Sequence, residues 1–283
     1  MTDQPIDDTE VEASAAPLIE HLAELRTRII YSVVAFVVGM LLCFTFAKDL
    51  LFFLLQPTAN ILEGYGQRPD FTTFAAQENF FVYFRISVLM GLGLSFPIIA
   101  YQLWRFVAPG LYKNEKGAFL PFIVASPLLF LAGAAFAHYV VSPLAMNFFI
   151  GFSDFGTDGT KVAVEGGQRA VFVPRVSDVL DLTLKFIFAF GLCFQLPVLL
   201  TLLGMADIVS SQGLKDTRKY AVVGILVLAA LVTPPDVITQ VILFTVVYML
   251  YEVSIWLVKM VEKKRDARLA EDGYFDDELE GEE

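Results

Sequence analysis

Apolar runs of membrane-crossing length, separated by short charged connections, dominate the chain. They lie at about 29–47, 80–107, 118–141, 179–203, 219–233 and 237–258. About twenty apolar residues span the ~30 Å hydrocarbon core as a helix, so the pattern predicts an all-α, polytopic membrane protein with six transmembrane helices. Before the first run, Leu18, Leu22, Leu25 and Ile29 recur at three- and four-residue spacing, while Glu20, Glu24 and Arg28 line the opposite face. That pattern predicts an amphipathic helix at the interface leading into the first span, with Ser14 and Pro17 as start signals. The fifth run differs: Tyr220 to Val232 reaches only about 20 Å as a helix, and the turn Thr233-Pro234-Pro235-Asp236 follows at once. This hairpin is expected to thin the membrane locally or to rest against other protein.

Irregularities inside the runs add detail. Pro97, Pro121, Pro127 and Pro197 remove hydrogen bonds within spans two, three and four, which predicts a bent bundle rather than straight rods. Between Gly151 and Arg175, Lys161-Val-Ala-Val and Ala170-Val-Phe-Val flank Glu165-Gly-Gly-Gln168, the pattern of a small β-hairpin around a glycine turn. It reads equally as a cap over one face or as a loop without a role.

Composition sets the solvent: 56% hydrophobic and 18% charged residues in 283 fall outside the range of a soluble domain. The net charge of -11 is mostly terminal, since seven acids lie between Asp3 and Glu24 and ten between Glu262 and Glu283. The reading is therefore an acidic disordered tail over 1–17, a six-span domain over 18–260 with an external loop at 142–178, and a second acidic disordered tail over 261–283. No secretory signal is visible at the acidic start, so the first run is an uncleaved span. Segments on the side of the termini carry thirteen Lys and Arg against six on the other, which places both termini in the cytoplasm. Cys43 and Cys193 lie within apolar runs and read as small core residues. Two cysteines and two histidines make metal chemistry improbable, and no cofactor is expected.

Polar side chains in the spans need partners. Gln195, in Phe194-Gln195-Leu196-Pro197, either bonds a carbonyl freed by Pro197 or contacts a partner subunit. Thr233 and Gln240 bracket the last turn and read as ordinary turn and helix hydrogen bonding. Arg85, Asp178, Asp181 and Lys185 sit near external span ends, where snorkelling suffices. His138 reads as a hydrogen-bonded structural histidine. Glu24 has a plain explanation in an i,i+4 pair with Arg28, and Glu115 in a solvated loop or a first-turn acid. Together, two carboxylates at the cytoplasmic edge would suit a guanidinium ligand.

Four strings occur in order: His21-Leu22-Ala23-Glu24-Leu25-Arg26, Pro109-Gly110-Leu111-Tyr112-Lys113-Asn114-Glu115, Phe194-Gln195-Leu196-Pro197-Val198 and Thr233-Pro234-Pro235-Asp236-Val237-Ile238-Thr239-Gln240. With these the chain resembles, over roughly 18–260, the TatC family, the multispanning subunit of the twin-arginine protein translocase. The resemblance implies a receptor, not an enzyme, in the bacterial cytoplasmic (inner) membrane. It would bind twin-arginine signal peptides of folded precursor proteins and support their export by the proton-motive force. Glu24, Arg26 and Glu115 match the signal-peptide positions. Gln195, Thr233 and Gln240 match the region that contacts single-span TatA- and TatB-type subunits in an oligomeric complex. Pro57, Pro97, Phe106, Pro109, Tyr112 and Asp236 are the positions marked for structure or transport. Many family members carry glutamate where Gln195 stands, and the external loop is longer than the family pattern. Membrane lipid is a further expected partner; nucleic acid is not.

The absence of a G-x-x-x-x-G-K-[ST] string leaves no nucleotide site on the chain. A small-solute transporter would show pseudo-symmetric halves, and an intramembrane protease a buried nucleophile with its base; neither pattern is present. The short fifth run makes a testable claim. A cysteine at residue 236 is expected to react with thiol reagents as a shallow or protein-shielded site does, and labelling typical of a full-depth loop would refute the short hairpin.

Overall fold

The computed structural model describes residues 8–66, 68–107, 120–152, 162–164, 168–170, 173–233 and 237–271. Its helices are α1 (Asp8–Thr45), α2 (Ala47–Gly64), α3 (Ala76–Val107), α4 (Leu120–Phe136), α5 (Ser142–Phe152), α6 (Val176–Cys193), α7 (Leu196–Met205), α8 (Ser211–Asp216), α9 (Arg218–Val232) and α10 (Val237–Glu271). A π-helical turn, Ala137–Val141, joins α4 to α5. β1 (Val162–Val164) and β2 (Gln168–Ala170) pair antiparallel, with Val162 opposite Ala170. The expected hairpin is present, with its second strand ending at Ala170 rather than beginning there.

Five helical stretches among the described residues are long and apolar enough to cross a membrane: Leu22–Thr45, Ala76–Phe106, Pro121–Gly151, Val176–Met205 and Val237–Ala267. They match five of the six expected runs. The remaining one is the 15-residue α9, which at 1.5 Å per residue reaches about 22 Å, as its short apolar run foretold.

Boundaries differ from the sequence reading where helices run on. α1 begins at Asp8, so helix covers part of the expected N-terminal tail, and α10 reaches Glu271, into the expected C-terminal one. The loop expected from residue 142 starts later, because Pro143 falls in the first turn of α5, where a missing N–H is harmless. The π turn carries the chain through that point, with the Ser142 N–H donating to the Ala137 carbonyl. Pro121 likewise lies in the first turn of α4 and interrupts nothing. Pro97 and Pro127 are inside continuous α3 and α4. At Pro197 the helix does break: α6 ends at Cys193, the Gln195 N–H donates to the Leu192 carbonyl at 2.9 Å, and α7 restarts at Leu196.

Packing uses small residues, because lipid gives helices no hydrophobic reason to associate. α1 and α3 cross at Gly39 and Gly91; a Cβ on Gly91 would lie 2.6 Å from the Met40 Cα, and one on Gly39 2.8 Å from the Gly91 carbonyl oxygen. α4 meets α6 at Gly133 in the same way, with a Cβ 2.5 Å from the Phe190 carbonyl oxygen. Phe186 and Phe190 of α6 and Leu243, Val247 and Val258 of α10 form the largest core. A second joins Leu54 of α2, Ile86 of α3 and Leu180 of α6, and a third joins Ala100 and Trp104 of α3 to Val198 and Leu202 of α7. The two cysteines are buried and free.

The loop before α3 is tied to the start of α6. Thr72 exchanges backbone hydrogen bonds with Pro174 and Val176, both at 3.1 Å. Arg175 reaches the buried Glu78 at 2.7 Å and lies over the Phe74 ring. Hydrogen bonding to Glu78 raises the Arg175 guanidinium above its ordinary pKa.

Gly91→Val forces α1 and α3 apart and is expected to destabilise the protein by about 1–3 kcal/mol in detergent unfolding. Gly224→Ala, where a Cβ meets nothing within 4 Å, serves as the neutral control. Equal effects from both would remove the close crossing as the cause.

Candidate functional site: the Glu24 carboxylate and an interhelical amide

α1 packs along α3 with its Glu24–Arg28 face turned to that neighbour, while Leu22 and Ile29 of the apolar stripe stay exposed. Glu24 and Arg28, one turn apart, form an ion pair there, with Arg28 Nε donating to Glu24 Oε1 at 3.0 Å and Nη2 to the same oxygen. Arg28 Nη1 donates to Gln102 Oε1 of α3 at 3.2 Å. The Arg28 side chain is 14% exposed against 35% for Glu24, so the guanidinium is the inner member and the carboxylate the outer one. Arg26 points from another face and is exposed. Near the end of α3, Phe106 is half-buried and Arg105 donates to the Tyr101 hydroxyl at 3.4 Å.

The i,i+4 pair expected of Glu24 is thus present, with an addition that spacing along α1 could not reveal. Gln102 is 74 positions from Arg28, and the packing of α1 along α3 brings the two together. Glu115, Pro109, Tyr112 and Asp236 lie outside the described residues. Pro57 is half-buried inside α2, and Pro97 is on the exposed side of α3.

Within the chain, Gln195 does not bond a carbonyl freed by Pro197. Its Nε2 donates to the Ser126 carbonyl of α4 at 2.8 Å, and Ser126 Oγ donates back to its Oε1 at 2.7 Å. Both ends of the amide are held by one residue of a neighbouring helix, at the break between α6 and α7. One donor and one acceptor site of the amide are thereby filled within the chain. Thr233 is buried and its hydroxyl donates to the Ala229 carbonyl at 2.8 Å, as expected of a turn residue. Gln240 is half-buried in the first turns of α10.

Other charges lock helices to each other. Arg85 Nη1 donates to both Asp181 oxygens at 2.6 and 2.7 Å, joining α3 to α6 where snorkelling alone was expected. Arg218 pairs with Glu252, and Arg265 with Asp207, at the opposite end. His138 departs from expectation: it is buried and stacked on Phe53 at 4.5 Å, and its Nδ1 has no hydrogen-bond partner among the described residues. No cluster of three or more His, Cys, Asp or Glu suited to a metal ion occurs among the described residues.

Known proteins match this chain in sequence and in fold. The family profile described as Sec-independent protein translocase protein (TatC) matches residues 20–245. The chain belongs to the TatC family. The TatC of Magnetococcus marinus is 40% identical over 270 residues, covering 93% of this chain and 94% of that protein. The Aquifex aeolicus TatC is 37% identical, covering 88% and 97%, and the Escherichia coli TatC 34%, covering 85% and 87%. A crystal structure titled as the twin arginine translocase receptor TatC superposes with a TM-score of 0.69 at 36% identity, covering 86% of this chain and 99% of that one. A second, in DDM, gives 0.70 at the same identity, covering 84% and 98%. This TatC chain is a multi-pass membrane component of a protein translocase, and its family membership implies a complex with other Tat subunits.

Interhelical hydrogen bonds of membrane proteins couple by about 0.6 kcal/mol on average and up to ~1.7. A double-mutant cycle of Ser126→Ala and Gln195→Leu isolates the hydroxyl bond, because alanine keeps the backbone carbonyl, and is expected near that average. Unfolding in detergent measures it, and additive effects would show that the hydroxyl half of the clamp contributes nothing.

Proposed function

We propose that this chain is the receptor subunit of the twin-arginine translocase, binding paired arginines of signal peptides at an edge formed by Glu24 and Glu115. The observation that carries this is the half-exposed Glu24 carboxylate, already gripped by the Arg28 guanidinium through two nitrogens. That contact is the chemistry an incoming arginine would use. A carboxylate has acceptor sites for more than one guanidinium donor, and a planar fork engages it better than an ammonium does. Gln102 holds Arg28 from α3 and so fixes the direction in which Glu24 faces. Arg26, exposed two residues on, orients the surface rather than binding the signal.

The basic residues bias the N- and C-termini to the cytoplasmic side of the bacterial inner membrane. With six spans, the carboxylate edge then faces the compartment where precursors fold. The short α9, the Thr233 turn, Gln240 and the Gln195 break form the region offered to single-span TatA- and TatB-type subunits. The proton-motive force drives export, and the cargo path requires those further subunits, because Gly39, Gly91 and Gly133 close the crossings between helices.

Binding of a signal peptide with paired arginines is compared with its paired-lysine version on wild type, Glu24→Ala and Glu115→Ala. The arginine peptide is expected to bind wild type at least about tenfold more tightly, and each variant to lose about tenfold or more, the scale of a truncated charge-assisted pair. No preference for arginine, or unchanged binding in both variants, rejects the receptor reading.

A further inference from the structure

Toward the C-terminal end of α1 lies a groove lined by none of the residues proposed above for signal recognition. Its larger part is an apolar cavity of about 660 Å³ walled by α1, α2, α3, α4, the π turn and α6. A second part of about 480 Å³ shares Leu89, Leu184 and Phe188 with it and is lined by Arg85, Asp181 and Lys185. Arg85 and Asp181 neutralise each other through their two-oxygen contact. Lys185 is exposed and forms no ion pair among the described residues, so this part carries a net positive charge beside a long apolar trough.

The wall of the apolar part contains an independent sign of a missing partner. His138 lines it, is 3% exposed and has a Nδ1 without a hydrogen-bond partner among the described residues. A buried unpaired polar atom is unfavourable unless a ligand completes it. The occupant must therefore be long and apolar, carry an anionic head at one end and bring a polar group to the His138 ring.

We infer that the groove binds one anionic glycerophospholipid, its phosphate against Lys185 and Arg85, an acyl chain along the apolar trough and its polar glycerol-ester region beside the His138 imidazole. A zwitterionic lipid brings its own cation to Lys185 and loses the charge match. The bilayer presents such molecules along the whole face of the groove.

Native mass spectrometry of the delipidated full-length protein, incubated with phosphatidylglycerol or phosphatidylcholine, tests this. Wild type is expected to retain phosphatidylglycerol about fivefold more than phosphatidylcholine, the scale set by one base at an anionic headgroup. Lys185→Gln should bring the ratio toward one, Lys185→Arg should keep it, and Ala134→Phe, which fills the trough, should lower retention of both lipids. Free glycerol phosphate should not compete. Equal retention of the two lipids by wild type, or an unchanged ratio in Lys185→Gln, overturns the proposal. Competition by glycerol phosphate would assign a soluble-phosphate site instead, and displacement of phosphatidylglycerol by an acidic single-span peptide would assign the groove to a protein; either result also overturns it.

Discussion

A polar group moved from water into hydrocarbon must be paired within the protein, and the bundle is organised by the ways its side chains meet that demand. Hydroxyls do so locally. Ser32, Ser87, Thr201, Thr233 and Ser254 each donate to the carbonyl four residues earlier, at 2.9, 2.6, 2.5, 2.8 and 2.6 Å. Such bonds ask nothing of neighbouring helices. An amide cannot satisfy both its ends this way, so Gln195 reaches across to Ser126 and fixes α4 against the α6–α7 break. Ser142 and Thr183, 3.0 Å apart, join α5 to α6 by the same logic.

Close backbone approach is the second half of the design, and it reaches Glu24. Gly39 and Gly91 bring α1 and α3 together without side chains between them. That spacing allows Gln102 to hold Arg28, and Arg28 in turn to orient Glu24. Glu24 is thus held through three links, of which only the last lies within one helix. A change at the glycine crossing acts on Glu24 at a distance by moving the base of that chain.

Legibility followed the range of each interaction. The five long spans, the short α9, the hairpin and the Glu24–Arg28 pair rest on local patterns: apolar run length, glycine between β-formers, charges one turn apart. They could be read directly. The second helix at 47–64 was missed because Lys48, Asp49 and Pro57 break an otherwise apolar, amphipathic stretch. Partners distant along the chain left no local trace: Gln102 lies 74 residues from Arg28, Ser126 lies 69 from Gln195, and Glu78 lies 97 from Arg175. His138 was misjudged for a related reason. A buried histidine ordinarily finds a hydrogen bond, and the sequence cannot show that the nearest surface of this one is the ring of Phe53.

The chemistry of position 195 follows from its contacts. Its side chain donates to a carbonyl and accepts from a hydroxyl of the same residue, two opposite roles that a neutral amide fills at once. An ionised carboxylate has no proton for the Ser126 carbonyl and would set two acceptors against each other, so only a protonated acid could reproduce the pair. An amide has no titratable proton, so the clamp in this chain is independent of pH. Residue 195 itself cannot carry a proton across the helix break, and a coupling of transport to protons would have to use other groups.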